Sequence, residues 1–373
     1  MPTSNWETTR PAELSPLKSE RPRRRGVYLI VAAGIAVVAV AAVLFAAGSN
    51  PTTISGKVNT SNLPDKGPAP ALVAKGWINS PPLTAANLTG KVVLYDFWTY
   101  SCINCVRTFP YVRAWYDRYR ADGLVIIGVH SPEFDFEKVH SNVQTAVKKL
   151  DVTWPVALDD NMTIWNAFKN QYWPADYVAD RTGHIRYTHF GEGDYDDTEN
   201  VLRTLLGVAA NSPRADKGVK AETASGQTTN PETYLDVEHQ QIGASAGVHA
   251  YPANANPVAP AVALEGSWNG ENEKITSASV GAAIALGVHA QSVNLVLAPA
   301  NGKPTDAVVT LDGRPIPVNE RGSDIKLDAT GRTVVTVTSP DMYRLVAAPG
   351  VEDHQLRVVA EAPGLEAYDF TFG

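Results

Sequence analysis

The chain has 373 residues, of which 44% are hydrophobic, and its 39 acidic and 32 basic side chains leave a net charge of −7. With no Lys/Arg run outside residues 21–25, it offers no basic face for nucleic acid. Its two cysteines, three positions apart, and eight histidines without ligand spacing do not make the roughly four-ligand set of a structural zinc site.

Residues 1–25 are polar and end in Arg21-Pro22-Arg23-Arg24-Arg25. Residues 26–47 then run without a charge, about 33 Å of helix and enough to cross a bilayer. The sequence predicts a transmembrane helix with residues 1–25 cytoplasmic and everything after residue 47 extracytoplasmic, because the basic cluster precedes the span. A cleaved signal peptide ending at Ala46-Ala47-Gly48 is the alternative; the long apolar core and long polar lead favour an uncleaved anchor. Residues 48–75, rich in Ser, Thr, Asn, Pro and Gly, read as a tether.

From residue 76 to 207 strand-like and helix-like segments alternate, which predicts a mixed sheet with helices on both faces. Strands are expected over 77–83, 91–97, 124–130 and 154–158, with a hairpin of 177–179 and 185–190 about Asp180-Arg181-Thr182-Gly183. Helices are expected from the cysteines to about 121, over 136–150 and 162–169, and over 198–206.

Both cysteines lie at the junction of a strand and a helix, in Asp96-Phe97-Trp98-Thr99-Tyr100-Ser101-Cys102-Ile103-Asn104-Cys105. Two residues three apart on a first helical turn share a face, so their sulfurs can approach to disulfide distance. Cys102, at the helix N-terminus, meets unpaired N–H groups and the positive end of the dipole, which favour a thiolate; Cys105, one turn deeper, is the resolving thiol. A purely structural disulfide closing so small a loop would contribute little stability.

These motifs resemble the thioredoxin pattern: Asp96 six residues before Cys102, Pro110 five after Cys105, and Pro174 in Tyr172-Trp173-Pro174-Ala175 placed like the cis-proline that faces the disulfide. The segment 136–150 and Asp180-Arg181-Thr182-Gly183 are similar to the TlpA-like branch. More narrowly, residues 97–105, His130-Ser131-Pro132-Glu133-Phe134, residues 170–174 and residues 190–195 resemble the extracytoplasmic thioredoxin-like part of DipZ proteins. The resemblance implies that Asp96 is a buried carboxyl able to take the Cys105 proton, and that Pro174 exposes backbone for a substrate strand. Trp98, Tyr100, Tyr172 and Trp173 are candidates for an apolar rim recognising protein chains, with some of them, Trp98 above all, expected in the core; Glu133 is a candidate for a group facing the site, a solvated loop carboxylate being the plainer alternative. Ile103-Asn104 lacks the Gly-Pro of thioredoxin and the Pro-His of strong oxidants, which predicts a reducing couple. Thr108 stands where many TlpA-like cytochrome c maturation proteins carry Glu, which argues against an apocytochrome-specific role.

Residues 208–227 form a polar linker. Beyond it, in 228–373, a Pro/Ala/Asn-rich connection over 251–260 leads into about eight short strands separated by turns, which predicts an all-β jelly-roll sandwich. This part resembles the C-terminal domain of DipZ proteins, itself similar to carbohydrate-binding modules; a glycan ligand would stack on exposed aromatics such as Trp268 or Tyr343, although a Trp or Tyr in a sandwich more often fills the core.

The functional expectation is a membrane-anchored extracytoplasmic thiol-disulfide oxidoreductase acting on protein disulfides, with no cofactor beyond its own cysteine pair and a CcdA/DsbD-like membrane protein as electron donor. The alternative is an envelope glycan- or protein-binding module with a vestigial redox site.

Overall fold

The computed structural model describes residues 62–215, 218–220 and 230–373. The predicted N-terminal segment and membrane span, most of the tether and part of the 208–227 linker lie outside the described residues. Among the described residues, no helix is long and apolar enough to cross a membrane.

The first body is a six-stranded mixed sheet in the order β1 (Gly76–Ile78), β4 (Val156–Leu158), β3 (Leu124–His130), β2 (Val92–Trp98), β5 (Ala175–Ala179), β6 (Ile185–Phe190). Strand β2 is parallel to β3 and antiparallel to β5. All seven of its residues are buried, as in a strand covered on both faces. Alternation along β2 divides the core. Val92, Leu94 and Trp98 pack with Phe109, Val112, Trp115 and Tyr119 of helix α2 (Ile103–Tyr119), while Val93, Tyr95 and Phe97 pack with Ile164, Trp165 and Phe168 of helix α4 (Thr163–Phe168).

Several boundaries differ from expectation. The stretch after β1 turns at Asn79, in left-handed backbone, and forms a short helix α1 (Ala85–Leu88), because the Thr84 and Asn87 side chains cap it. The predicted helix over 136–150 divides into a 3₁₀ turn (Asp135–Lys138) and helix α3 (His140–Lys149). The last helix of this body, α5 (Tyr195–Leu206), starts one turn earlier than predicted.

The second body is all-β, a barrel or sandwich in which eleven antiparallel strands are hydrogen-bonded into one continuous sheet. The all-β class agrees with expectation, and what differs is the length of the strands. Two long strands, β11 (Ala283–Pro299) and β16 (Asp341–Ala360), replace four predicted short ones, because irregular register at 290–294 lets β11 continue where a turn was expected. The first half of β11 pairs with β9 (Ala261–Gly270) and its second half with β17 (Leu365–Phe372), so one strand belongs to both layers. The predicted connection over 251–260 begins inside strand β8 (Gly247–Tyr251).

The two aromatics considered as sugar platforms are core. Trp268 is buried with its indole N–H donated to the Glu265 carbonyl at 2.9 Å, and buried Tyr343 uses its hydroxyl to bind the backbone of Thr338 and Ser339. Alternation placed Tyr343 on a strand without saying which face was inward, and Trp268 lay before the first of the expected strands.

The bodies meet beside the cysteines. Phe134 and Phe136 of the first pack against Tyr368 of β17, with ring centroids 5.2 and 4.8 Å apart, and Lys149 pairs with Asp341 at 2.6 Å.

Candidate active site

Cys102 is the N-cap of α2: its extended backbone stops the strand direction and its sulfur accepts the Cys105 N–H at 3.3 Å. Both cysteines are free thiols, Cys102 7% exposed and Cys105 0%. The sulfurs therefore share the first helical turn, with the attacking candidate outermost.

Asp96 lies on the face of β2 that carries α2, 1% exposed, and its Oδ2 has no hydrogen-bond partner. Burial first, and then the charge of Asp176, push its carboxyl well above the usual range. Burial likewise pushes the Cys105 thiol up, with contact to Cys102 and the Asp96 charge adding to it. No cation offsets this from β3, where the residue paired with Asp96 is Gly128. A glycine is required there, since a Cβ would come within 2.7 Å of the Trp98 indole nitrogen and 3.0 Å of that of Trp154.

Asp176 was not foreseen. It is paired directly with Asp96 across the β2–β5 ladder, so both carboxyls project from the same face. It is half-buried, and burial pushes it up to about 7. Its position two residues after Pro174 was visible, but its partner depends on register.

The peptide Trp173-Pro174 is cis, and Pro174 immediately precedes β5. Trp173 is half-buried, its ring tilted against that of Trp165 at a centroid distance of 4.2 Å and its indole N–H donated to the Ser131 carbonyl at 3.1 Å. The aromatic rim differs from expectation. Trp98 is sealed between Phe109 and His130, and Tyr100 between His130 and Phe136, because they point inward at the end of β2 and in the turn after it. The aromatics that reach solvent are Tyr172, 52% exposed, and Phe190, 46% exposed, with rings 5.2 Å apart. Neither ring nitrogen of His130 has a hydrogen-bond partner, and burial depresses it to about 3, so it is a neutral packing group.

Two further groups were not singled out by sequence. Buried Glu137 accepts the Ser101 hydroxyl at 2.6 Å and the Glu133 and Phe134 N–H groups at 2.7 and 3.1 Å, tying the residue before Cys102 to the loop after β3. Buried Arg107 holds Glu192 through two bonds of 2.9 and 2.8 Å and Asn104, between the cysteines, at 2.6 Å. Glu133 is at the domain junction, not on an open loop: its carboxylate accepts the Tyr234 hydroxyl of strand β7 (Thr233–Tyr234) at 2.5 Å. Among the described residues no cluster of His, Cys, Asp and Glu has the form of a metal site.

Comparison with known proteins agrees with this geometry. Residues 68–206 match the Redoxin family model and residues 230–373 that of the thioredoxin like C-terminal domain. Protein DipZ of Mycobacterium bovis and of Mycobacterium tuberculosis are each 37% identical over 317 residues, covering 80% of this chain and 41% of theirs. The chain thus spans less than half the length of those relatives. Thiol-disulfide oxidoreductase YkuV of Bacillus subtilis is 34% identical over 141 residues, covering 37% of this chain and 94% of its own. With a Cys-x-x-Cys pair capping the helix of a redoxin fold, followed by a β-domain of the DipZ type, the chain belongs to the thioredoxin-like thiol-disulfide oxidoreductases.

Proposed function

We propose that the protein is a membrane-anchored, extracytoplasmic reductase of protein disulfides. The observation that carries the reading is the stack of three groups on one face: Cys102 at the helix N-cap, Cys105 directly behind it, and the unpartnered carboxyl of Asp96 buried with them. The Cys102 thiolate attacks one sulfur of a substrate disulfide, the S–S bond breaks, and the electron pair leaves with the other sulfur. Asp96 then takes the Cys105 proton. The Cys105 thiolate attacks Cys102, the second substrate sulfur departs with the electron pair, and the protein is left with a Cys102–Cys105 disulfide. Two electrons have passed from the protein dithiol to the substrate.

Asp176 gives the buried Asp96 a neighbouring carboxyl with access to solvent, so the proton has a way out. Tyr172 and Phe190 supply an apolar surface beside Pro174 for an unfolded or flexible chain. A CcdA/DsbD-like membrane protein restores the dithiol, a role suited to a domain tethered close to the bilayer. The alternative of a glycan-binding module is weakened by the inward placement of Trp268 and Tyr343.

The reading is tested with the full chain in detergent. It should reduce insulin in the presence of an electron donor, with a couple near thioredoxin's, about −270 mV rather than about −120 mV. Cys102→Ser should abolish turnover; unchanged turnover in that variant would remove the reading.

A further inference from the structure

The chemistry above leaves one proton unassigned. When Cys102 attacks a substrate disulfide, the first sulfur to leave does so as a thiolate, and a basic leaving thiolate slows the exchange. Asp96 and Cys105 serve the second step and are buried, so the donor for the first step has to come from elsewhere.

We propose that Glu133 is that donor, a general acid positioned by the β-domain, whose Tyr234, Glu232 and Asp369 surround its carboxyl at the domain junction next to the turn that carries Cys102. The proposal rests on the reductase reading and assigns the β-domain a part in the redox site itself.

The geometry runs through one carboxylate. Glu137 takes the Ser101 hydroxyl on Oε1 and the Glu133 N–H on Oε2, so the backbone of Glu133 is tied to the residue next to Cys102 by a single bridging carboxylate. From the other side, Tyr234 donates to Glu133 Oε1 at 2.5 Å, and Tyr234 is paired with Asp369 across the β7–β17 ladder. Asp369 is buried, its Oδ1 has no partner, and it is close enough to Cys102, Glu133 and Glu232 to feel the charge of each.

The surroundings keep Glu133 protonated. The titratable groups facing it are Glu137 from its own loop, Glu232 and Tyr234 from the β7 segment, and Asp369 from β17; His239, stacked 4.0 Å from Tyr234, is bound to Asp236 at 2.7 Å. Among the described residues, no ion pair reaches Glu133, Glu232 or Asp369. Burial, then the charges of Glu232 and Glu137, push Glu133 up to about 8. It is therefore mostly a neutral acid at pH 7, close in strength to a free cysteine thiol at about 8.5, which suits proton transfer between them. A negative charge on Cys102 tightens the hold of Asp369 on its own proton, so Asp369 stays neutral when the nucleophile is ionised and adds no charge beside Glu133.

The step balances. The Cys102 sulfur bonds to one substrate sulfur, the S–S bond breaks, the electron pair goes to the departing sulfur, and that sulfur takes the Glu133 proton and leaves as a thiol. The Glu133 carboxylate, half-buried and so in touch with solvent, regains a proton from water.

The test uses the full chain in detergent, carrying Cys105→Ser so that only the first step is seen. Three reagents differ in what their leaving group needs: iodoacetamide releases iodide, dithiobis(nitrobenzoate) releases a thiolate stable without a proton, and glutathione disulfide releases a basic alkyl thiolate. Glu133→Gln should slow the reaction with glutathione disulfide by roughly tenfold to a hundredfold while the other two reagents stay within about twofold, and Glu133→Asp should recover part of the loss. Glu232→Gln, which removes a repelling charge, should move the alkaline fall in glutathione disulfide reactivity to lower pH without altering iodoacetamide alkylation. An equal slowing with all three reagents, or no slowing with glutathione disulfide, overturns the proposal. If the unmutated site does not react with any disulfide, it is the reductase reading that fails and not the assignment of the acid.

Discussion

Replacing Asp96 with Asn removes a proton acceptor while keeping the volume of a fully buried side chain, so it isolates the resolving step. A thiol at the ordinary value of 9.0 is about 1% ionised at pH 7, and burial places Cys105 well above that value. Without a base the second step draws on less than about 1% of the molecules, so turnover at pH 7 should fall by about a hundredfold, within the range expected of a positioned base. Folding should not suffer. A carboxyl whose folded value is raised costs stability at every pH above its unfolded value, so its removal is neutral or stabilising at pH 7. Reduced protein is mixed with insulin, quenched in acid and weighed by mass spectrometry. The mixed disulfide, transient in the parent, should accumulate in the variant, and the deficit should shrink about tenfold per pH unit as solvent begins to ionise Cys105 directly. A deficit equally large at about pH 6.5 and about pH 9, or no accumulation of mixed disulfide, would refute the role given to Asp96.

Three further outcomes follow from the same structure. Asp176→Asn should leave iodoacetamide alkylation of Cys102 unchanged but flatten the pH dependence of turnover near 7. Because burial raises Asp176 to about 7, the variant should also gain stability relative to the parent as pH rises from about 4 to about 7, read by denaturant titration, and a gain confined to acid pH would contradict the sign. Gly128→Ala places a methyl group within 2.7 Å of the Trp98 indole between two buried tryptophans, and should cost about 1–3 kcal/mol in chemical denaturation. Tyr368→Ala removes the ring that Phe134 and Phe136 both contact, and should split a shared calorimetric transition into two, whereas a single transition at lower temperature would argue that other contacts couple the bodies.

Local pattern carried most of the first body and its chemical centre. The apolar run over 124–129 in β3 and the breaks at Gly123 and Gly183 are decided by neighbours in sequence, and so is the placement of Cys102 where a strand gives way to a helix. The long strands of the β-domain were less legible, because continuation of β11 past residue 290 depends on partners in β16 and β17, which begin more than 40 residues further on. Tyr100 illustrates the same limit, since an aromatic in the turn before a reactive cysteine reads alike whether it lines a rim or fills a core.

By itself the amino-acid order determined that a cysteine pair would cap a helix after a buried strand, with Asp96 six residues upstream on the same strand, since spacing along one element follows from backbone periodicity alone. Only the tertiary structure decided which other carboxyls share that site. Asp176 reaches Asp96 through strand register, and Glu133 meets Tyr234 and Asp369 across more than 100 and 200 residues of chain respectively, because desolvation and charge act through space and take no account of sequence distance.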